Sequence, residues 1–362
     1  MRINIKEEKM RDSSTRSFSA VGMQGVSASR RRDKKRKLLI TALTVVCLLI
    51  VLFTFLIFAE IFGWFAEKAP EGPGGNDVGG IKLEYEDKLV STGDAHAGDL
   101  ILINPSFPYT FPETNEEYLP IYTNRNPLGT FPSGNTIYSY YPQTAKNCAQ
   151  FESGMLEALN AWTDDFYRAT GAYDLFIYDR DGYRTEEQQT ELYNASPSKY
   201  LPAGQTEHHT GKVVDLYINK SASTPVCTLD DAEYASTYKW LYENAYKYGF
   251  INRYPTDKAD VTGVSNEQYH FRYVGVAHAT YMYQNDLCLE EYLDLLRDSY
   301  KHGEKHLEFV GADGEQYVIY YVKAASDSLT AIPVPKSEEG TTYEISGDNK
   351  EGFIVTVTIT NN

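Results

Sequence analysis

Gln205-Thr206-Glu207-His208-His209-Thr210-Gly211-Lys212-Val213-Val214-Asp215, followed well downstream by Glu267-Gln268-Tyr269-His270, decides the reading of this 362-residue chain. The first stretch sets a histidine and an aspartate seven residues apart, and the second a glutamate and a histidine three apart. Two neutral imidazoles and one carboxylate, from His208, Asp215 and His270, suit a catalytic zinc with a fourth position left for water. Glu267, a carboxylate that stays off the metal, is what a zinc hydrolase needs as general base. Gly211 permits a sharp turn, so that the chain can return as a strand and bring Asp215 towards the same ion as His208. His209 and Glu207 flank His208 and, in extended chain, point away from it. His209 is read as a supporting or exposed residue rather than a ligand, and Glu207 as a rival to Asp215 for the metal that its direction disfavours. His302 and His306 have ligand spacing, but Gly303 lies between them and no third donor is near. With His96 and His278 they are read as ordinary structural histidines.

Outward from these motifs the chain divides by charge. The net charge is −16, yet residues 1–37 hold 12 Lys and Arg against 4 Asp and Glu, leaving −24 for the other 325 residues. So acidic a body excludes nucleic acid as a partner, because phosphate contacts need clustered Lys and Arg. Leu38 to Ala59 is 22 residues without a charge, rich in Leu, Ile, Val and Phe. At a rise of about 1.5 Å per residue it spans a hydrocarbon core of roughly 30 Å. The run Arg30-Arg31-Arg32-Asp33-Lys34-Lys35-Arg36-Lys37 precedes it, which predicts a cytoplasmic N-terminus and an outside body. A secretory signal peptide is the competing reading, but its apolar region would be nearer 7–15 residues and end in a small-residue cleavage site. Expected domains are therefore a basic tail (1–37), a single-pass membrane anchor (38–59), a tether (60–94) containing the Pro/Gly-rich Glu67–Gly80, a catalytic domain (95–302) and a β-rich appendage (303–362). Cys148, Cys227 and Cys288 form no disulfide framework, although a Cys227–Cys288 bridge is possible.

Within the body the pattern predicts an α+β domain. Phe151, Met155, Leu159, Trp162 and Phe166 share one face of a helix over about 149–170, with Gly171 at its end. Leu175–Tyr178 reads as a short buried strand. Thr185-Glu186-Glu187-Gln188 is a capping box that opens a helix. Lys212–Ile218 reads as a strand, Asp230 and Glu233 cap a helix through about Tyr248, and another helix covers about 289–300. Residues 100–145 read as a wrapping segment with little regular structure. Beyond 303 the period becomes two, over Tyr317–Val322 and Phe353–Ile359, which predicts strands.

These residues resemble the zinc-dependent VanY- and VanX-type D-alanyl-D-alanine peptidases, whose fold is shared with Hedgehog signalling domains. His208-x-x-Gly211-x-x-x-Asp215 and Glu267-x-x-His270 match the family motifs. Thr206 stands for the family's serine, Val213 for its alanine and Tyr269 for its frequent Trp. Gly182-Tyr183-Arg184-Thr185, Gly249-Phe250-Ile251-Asn252-Arg253-Tyr254-Pro255 and His270-Phe271-Arg272-Tyr273-Val274-Gly275 extend the likeness over about 95–300. The resemblance implies a small antiparallel sheet with flanking helices and one zinc per chain on His208, Asp215 and His270. It implies Glu267 as base and Arg184 at the oxyanion, with Thr206, Gln188 and Tyr269 as substrate contacts. The implied reaction removes the terminal D-Ala from peptidoglycan stem peptides outside the membrane. DD-dipeptidase and LD/DD-endopeptidase activities share the same metal centre, and a non-catalytic wall-binding module is the reading from another class.

Overall fold

Phe250, Phe271 and Trp162 explain how the central sheet is held. A computed structural model describes residues 83–113, 117–142, 148–219, 228–229, 235–265 and 267–360, all within the compact unit 74–362. The long helix Ser153–Thr170 begins where the Glu152 carboxylate accepts from Gly154 N and Met155 N, and it ends at Gly171. Its apolar stripe buries Met155, Leu156, Leu159, Trp162 and Phe166. Trp162 stacks on Phe250 and meets Phe271 edge-on, each at 4.9 Å between ring centres.

Those two phenylalanines belong to a three-stranded antiparallel sheet, in the order Phe250–Asn252, His270–Tyr273, Val213–Asp215. Side chains alternate along a strand, so Phe271 and its cross-strand partner Val214 face the helix. His270 and Arg272 must then face the other way, together with Asp215 and Val213, with which they are in register. Helix packing on one face thus aims the candidate ligands from the opposite face.

The expected single strand over 212–218 is two. Val213–Asp215 pairs with His270–Tyr273, and after Leu216 the pair Tyr217–Ile218 joins a second small sheet. There Leu175–Ile177 is antiparallel to it and parallel to Tyr140–Pro142. The capping box at Thr185 and Gln188 is formed and opens Glu186–Ala195. The helix Ala235–Asn244 passes into a 3-10 turn over Ala245–Tyr248, and Leu289–Ser299 lies as expected. A helix over Val276–Asn285 was not anticipated.

Two expected boundaries need correction. Tyr85–Ser91 is a strand rather than the end of a tether, paired along its whole length with Leu329–Pro335. Its partner is so distant in sequence that no local pattern reveals it. The residues after 303 do form strands, in the order Leu307–Val310, Gln316–Lys323, Gly352–Ile359, Thr341–Gly347. They are no detached appendage, however. Leu307, Phe309, Tyr317, Ile319, Tyr321 and Ile354 share one hydrophobic cluster with Ile251, Val274, Met282, Leu293 and Leu296. His278 lies buried across that seam, between the Tyr292 hydroxyl and Thr356 Oγ1, each at 2.8 Å.

The apolar span 38–59 and its basic flank lie outside the described residues, as does Cys227. Among the described residues no helix is long and apolar enough to cross a membrane. Cys148 and Cys288 are free thiols, and Cys288 caps the helix Leu289–Ser299.

Candidate metal centre and active site

The turn before Asp215 is built for close approach. Thr206 caps a 3-10 turn over Glu207–Thr210, its hydroxyl accepting from His208 N at 3.4 Å. Gly211 then takes φ of 67°, and a Cβ there would lie 2.5 Å from the Tyr118 ring, so no other residue fits without displacement. His208 Nδ1 is 2.8 Å from the Gly182 carbonyl, which can only accept, so Nδ1 carries the proton and Nε2 is bare. That bare nitrogen faces Asp215 Oδ2 at 3.5 Å. From the neighbouring strand His270 Nδ1 meets Asp215 Oδ1 at 2.7 Å. Potential ligand atoms of His208, Asp215 and His270 all lie within 4.8 Å of one another, and all three residues are buried. No other such group of three His, Cys, Asp or Glu occurs among the described residues.

The donor set fits zinc: two imidazoles and a carboxylate, with a cleft on the open side. Burial, with Arg184 nearby, brings the His208 pKa down to about 4, so it is a neutral donor near pH 7. Burial disfavours charge on His270 as well, but Asp215 and Glu207 hold it up to about 9. The Asp215 carboxyl lies well below its usual range: burial opposes ionisation and the two histidines overcome it.

Arg184 is buried beside this group. Its Nη2 stands 3.7 Å from Asp215 Oδ2 and 3.9 Å from Asp181 Oδ1, while Nη1 donates to Gln189 Oε1 at 3.3 Å. Its backbone is fixed to the ligand turn, since Arg184 N donates to the His208 carbonyl and His209 Nδ1 donates to the Arg184 carbonyl. His209 is therefore buried support for Arg184 and is not exposed. Glu267 is partly buried in the turn leading to His270, and burial raises its carboxyl pKa. Both line a cleft of about 710 Å³ with His208, Asp215, His270, Thr206 and Tyr269. Tyr269 stacks on Tyr217 at 5.0 Å. Gln188 is not in that lining: its Oε1 accepts from Thr185 N at 3.0 Å in the capping box, and the next residue, Gln189, faces the cleft instead.

Sequence reasoning missed two groups here and weighed a third, Glu207, only as a rival ligand. Tyr254 stacks on His270 at 5.2 Å. Asp181 lies in the cleft wall, with a carboxyl that burial and Asp215 push up to about 8. Behind His270, Glu207 Oε1 takes Arg253 Nε at 2.8 Å and Arg272 Nη1 at 3.4 Å, while its Oε2 lies 3.4 Å from His270 Nε2. Arg253, just after the strand Phe250–Asn252, and Arg272, within His270–Tyr273, were the available signal, because a buried arginine requires a buried counter-charge.

A family model described as VanY, D-alanyl-D-alanine carboxypeptidase, matches residues 155–276. The chain is 33% identical over 279 residues to a D-alanyl-D-alanine carboxypeptidase of Enterococcus faecium, across 77% of this chain and 81% of that one. It is 38% identical over 148 residues to a D-alanyl-D-alanine carboxypeptidase of Enterococcus faecalis, covering 36% of this chain and 51% of that one. Among solved structures, the vancomycin-resistance D,D-dipeptidase VanXYg, in complex with a D-Ala-D-Ala phosphinate analogue, superposes with a TM-score of 0.59. That match has 26% identity and covers 76% of this chain and 99% of the other. With its motifs in place on this fold, the chain belongs to the VanY family of D-alanyl-D-alanine carboxypeptidases.

Proposed function

We propose that the protein is a zinc D-alanyl-D-alanine carboxypeptidase that removes the terminal D-Ala from peptidoglycan stem peptides. The observation that carries this reading is the convergence of His208, Asp215 and His270 on one point of a cleft wall that also presents Glu267 and Arg184. His208, through its bare Nε2, with Asp215 and His270 would hold the zinc. When bound, zinc supplies Lewis-acid activation of a water and of the scissile carbonyl. Glu267 takes the proton of the attacking water and returns it to the amine of the departing D-Ala. Its raised pKa makes it a stronger base than an exposed glutamate. Arg184, fixed from both sides of its backbone, places positive charge where the carbonyl oxygen becomes negative. Thr206 and Tyr269 line the approach for the peptide.

The cleft, at about 710 Å³, has room for stem residues upstream of the scissile bond, which favours a carboxypeptidase over a dipeptidase. The dipeptidase alternative draws support from the likeness to VanXYg. A non-catalytic binding module would need neither Glu267 nor Arg184. The site of action is the outer face of the membrane, supported by the uncharged run 38–59 and the basic residues before it. Mass spectrometry of a pentapeptide ending in D-Ala-D-Ala, incubated with the purified protein, tests the reaction. Loss of a single D-Ala, abolished by a chelator and restored by zinc, is the expected result. Release of the intact D-Ala-D-Ala dipeptide, or cleavage indifferent to chelation, would refute it.

A further inference from the structure

The far edge of the His270 ring carries an arrangement that zinc ligation alone does not explain. Glu207 Oε2 and His270 Nε2 are both buried and both lack a well-aligned hydrogen-bond partner, yet they face each other at 3.4 Å. The other Glu207 oxygen is held by Arg253 and Arg272. Arg253 then donates Nη1 and Nη2 to the two oxygens of Glu290, at 2.9 and 2.7 Å. Glu207, Arg253 and Arg272 are no more than 2% exposed. Two carboxylates and two guanidiniums balance in charge, which allows an ionised glutamate to sit in the interior.

We propose that Glu207 is a positioning residue for the zinc: it holds the proton of His270 on Nε2 and so leaves Nδ1 bare for the metal, with Arg253 and Glu290 fixing Glu207 in turn. This rests on His208, Asp215 and His270 being the zinc ligands. An imidazole ligates through one nitrogen only, and the hydrogen bond at the other sets tautomer and ring orientation. Glu207 cannot itself join the metal from there, because it lies at the ring edge turned away from Asp215 and its second oxygen is occupied. Glu290 stands in the first turn of Leu289–Ser299, whose buried side chains join the cluster shared with the C-terminal sheet. The network therefore ties a zinc ligand to the element that carries the seam.

The test is zinc affinity, measured on the full chain by competition with a chromophoric chelator. Glu207→Gln keeps the shape and removes the carboxylate, and its affinity should fall about 10–100-fold. Cobalt(II) bound in place of zinc should show shifted visible bands, since those report ligand geometry. Leu293→Ala, in the shared cluster away from the cleft, is the control for lost stability alone and should leave affinity and spectrum unchanged. If Glu207→Gln does not fold, Glu290→Gln takes its place: it frees Arg253 and should weaken zinc in the same direction by a smaller factor. A folded Glu207→Gln within about twofold of wild type, or a folded Glu290→Gln with unchanged affinity, would overturn the proposal. Equal weakening in Leu293→Ala would also overturn it. A wild type that binds no zinc would overturn the ligand assignment instead.

Discussion

Ending the chain at residue 303 tests whether the C-terminal strands belong to the catalytic body. Truncation removes Leu307, Phe309, Tyr317, Ile319, Tyr321 and Ile354, six members of the cluster that also contains Ile251 and Val274 of the metal-site region. It also removes Leu329–Pro335, the partner of Tyr85–Ser91, and Thr356, which accepts from or donates to His278. Burying a large apolar side chain is worth about 1.5–3 kcal/mol, so the six together stand for roughly 10 kcal/mol. A whole domain of this kind is stable by only about 5–15 kcal/mol. The truncated chain should therefore lack a cooperative thermal transition and bind no zinc with the wild-type stoichiometry. Circular dichroism on heating, with metal analysis of the purified fragment, decides the matter. A truncated protein that melts cooperatively and carries one zinc would refute the shared-core argument and restore a separable appendage.

Further outcomes follow from individual side chains. His208→Ala and Asp215→Ala should each lose zinc on dialysis, measured by metal analysis, because each removes one of three protein ligands. Arg184→Ala should keep its zinc but lose about 10²–10³ in kcat on a D-Ala-D-Ala peptide, the range for one removed oxyanion donor. His278, buried and held neutral, has its pKa lowered to about 4. A depressed folded value makes its contribution fully present above the unfolded pKa of about 6.5 and lost as pH falls through about 4, an effect of roughly 3 kcal/mol. Urea unfolding of the metal-free protein near pH 7 and near pH 4 should show this loss, and His278→Gln should show a smaller one. Protease treatment of intact cells should release the body beyond about residue 66. Recovery of a secreted form beginning near residue 60 would contradict the membrane anchor.

The candidate residues of the site were legible in the sequence because zinc and a general base accept few residue types, and the structure brings them to one cleft. His208, Asp215, Glu267 and His270 stand at spacings that only a turn and two strands need to close. What the sequence could not reveal was the register that sets His270 opposite Asp215, since pairing between distant strands leaves no local trace. The same limit hid Tyr85–Ser91 against Leu329–Pro335. Gln188 and Gln189 differ by one position on a helix, about 100° of rotation, and the capping box that occupies the Gln188 side chain leaves Gln189 to face the cleft. Glu207 was set aside for pointing away from His208. A sequence offers no way to see that its carboxylate ends beside His270 Nε2, with Arg253 and Arg272 on its other oxygen.

The central claim is that one carboxylate holds the metal while another moves the proton, and Glu267→Gln separates them most directly. General-base assistance contributes about 10²–10⁴ in rate. Zinc content and turnover should therefore be measured together on a single preparation of this variant, using a peptide ending in D-Ala-D-Ala. The account predicts one zinc per chain, an unchanged fold and turnover lowered by at least 10². Near wild-type turnover would show that the base lies elsewhere, and loss of the zinc would make Glu267 a ligand; either result would contradict the account.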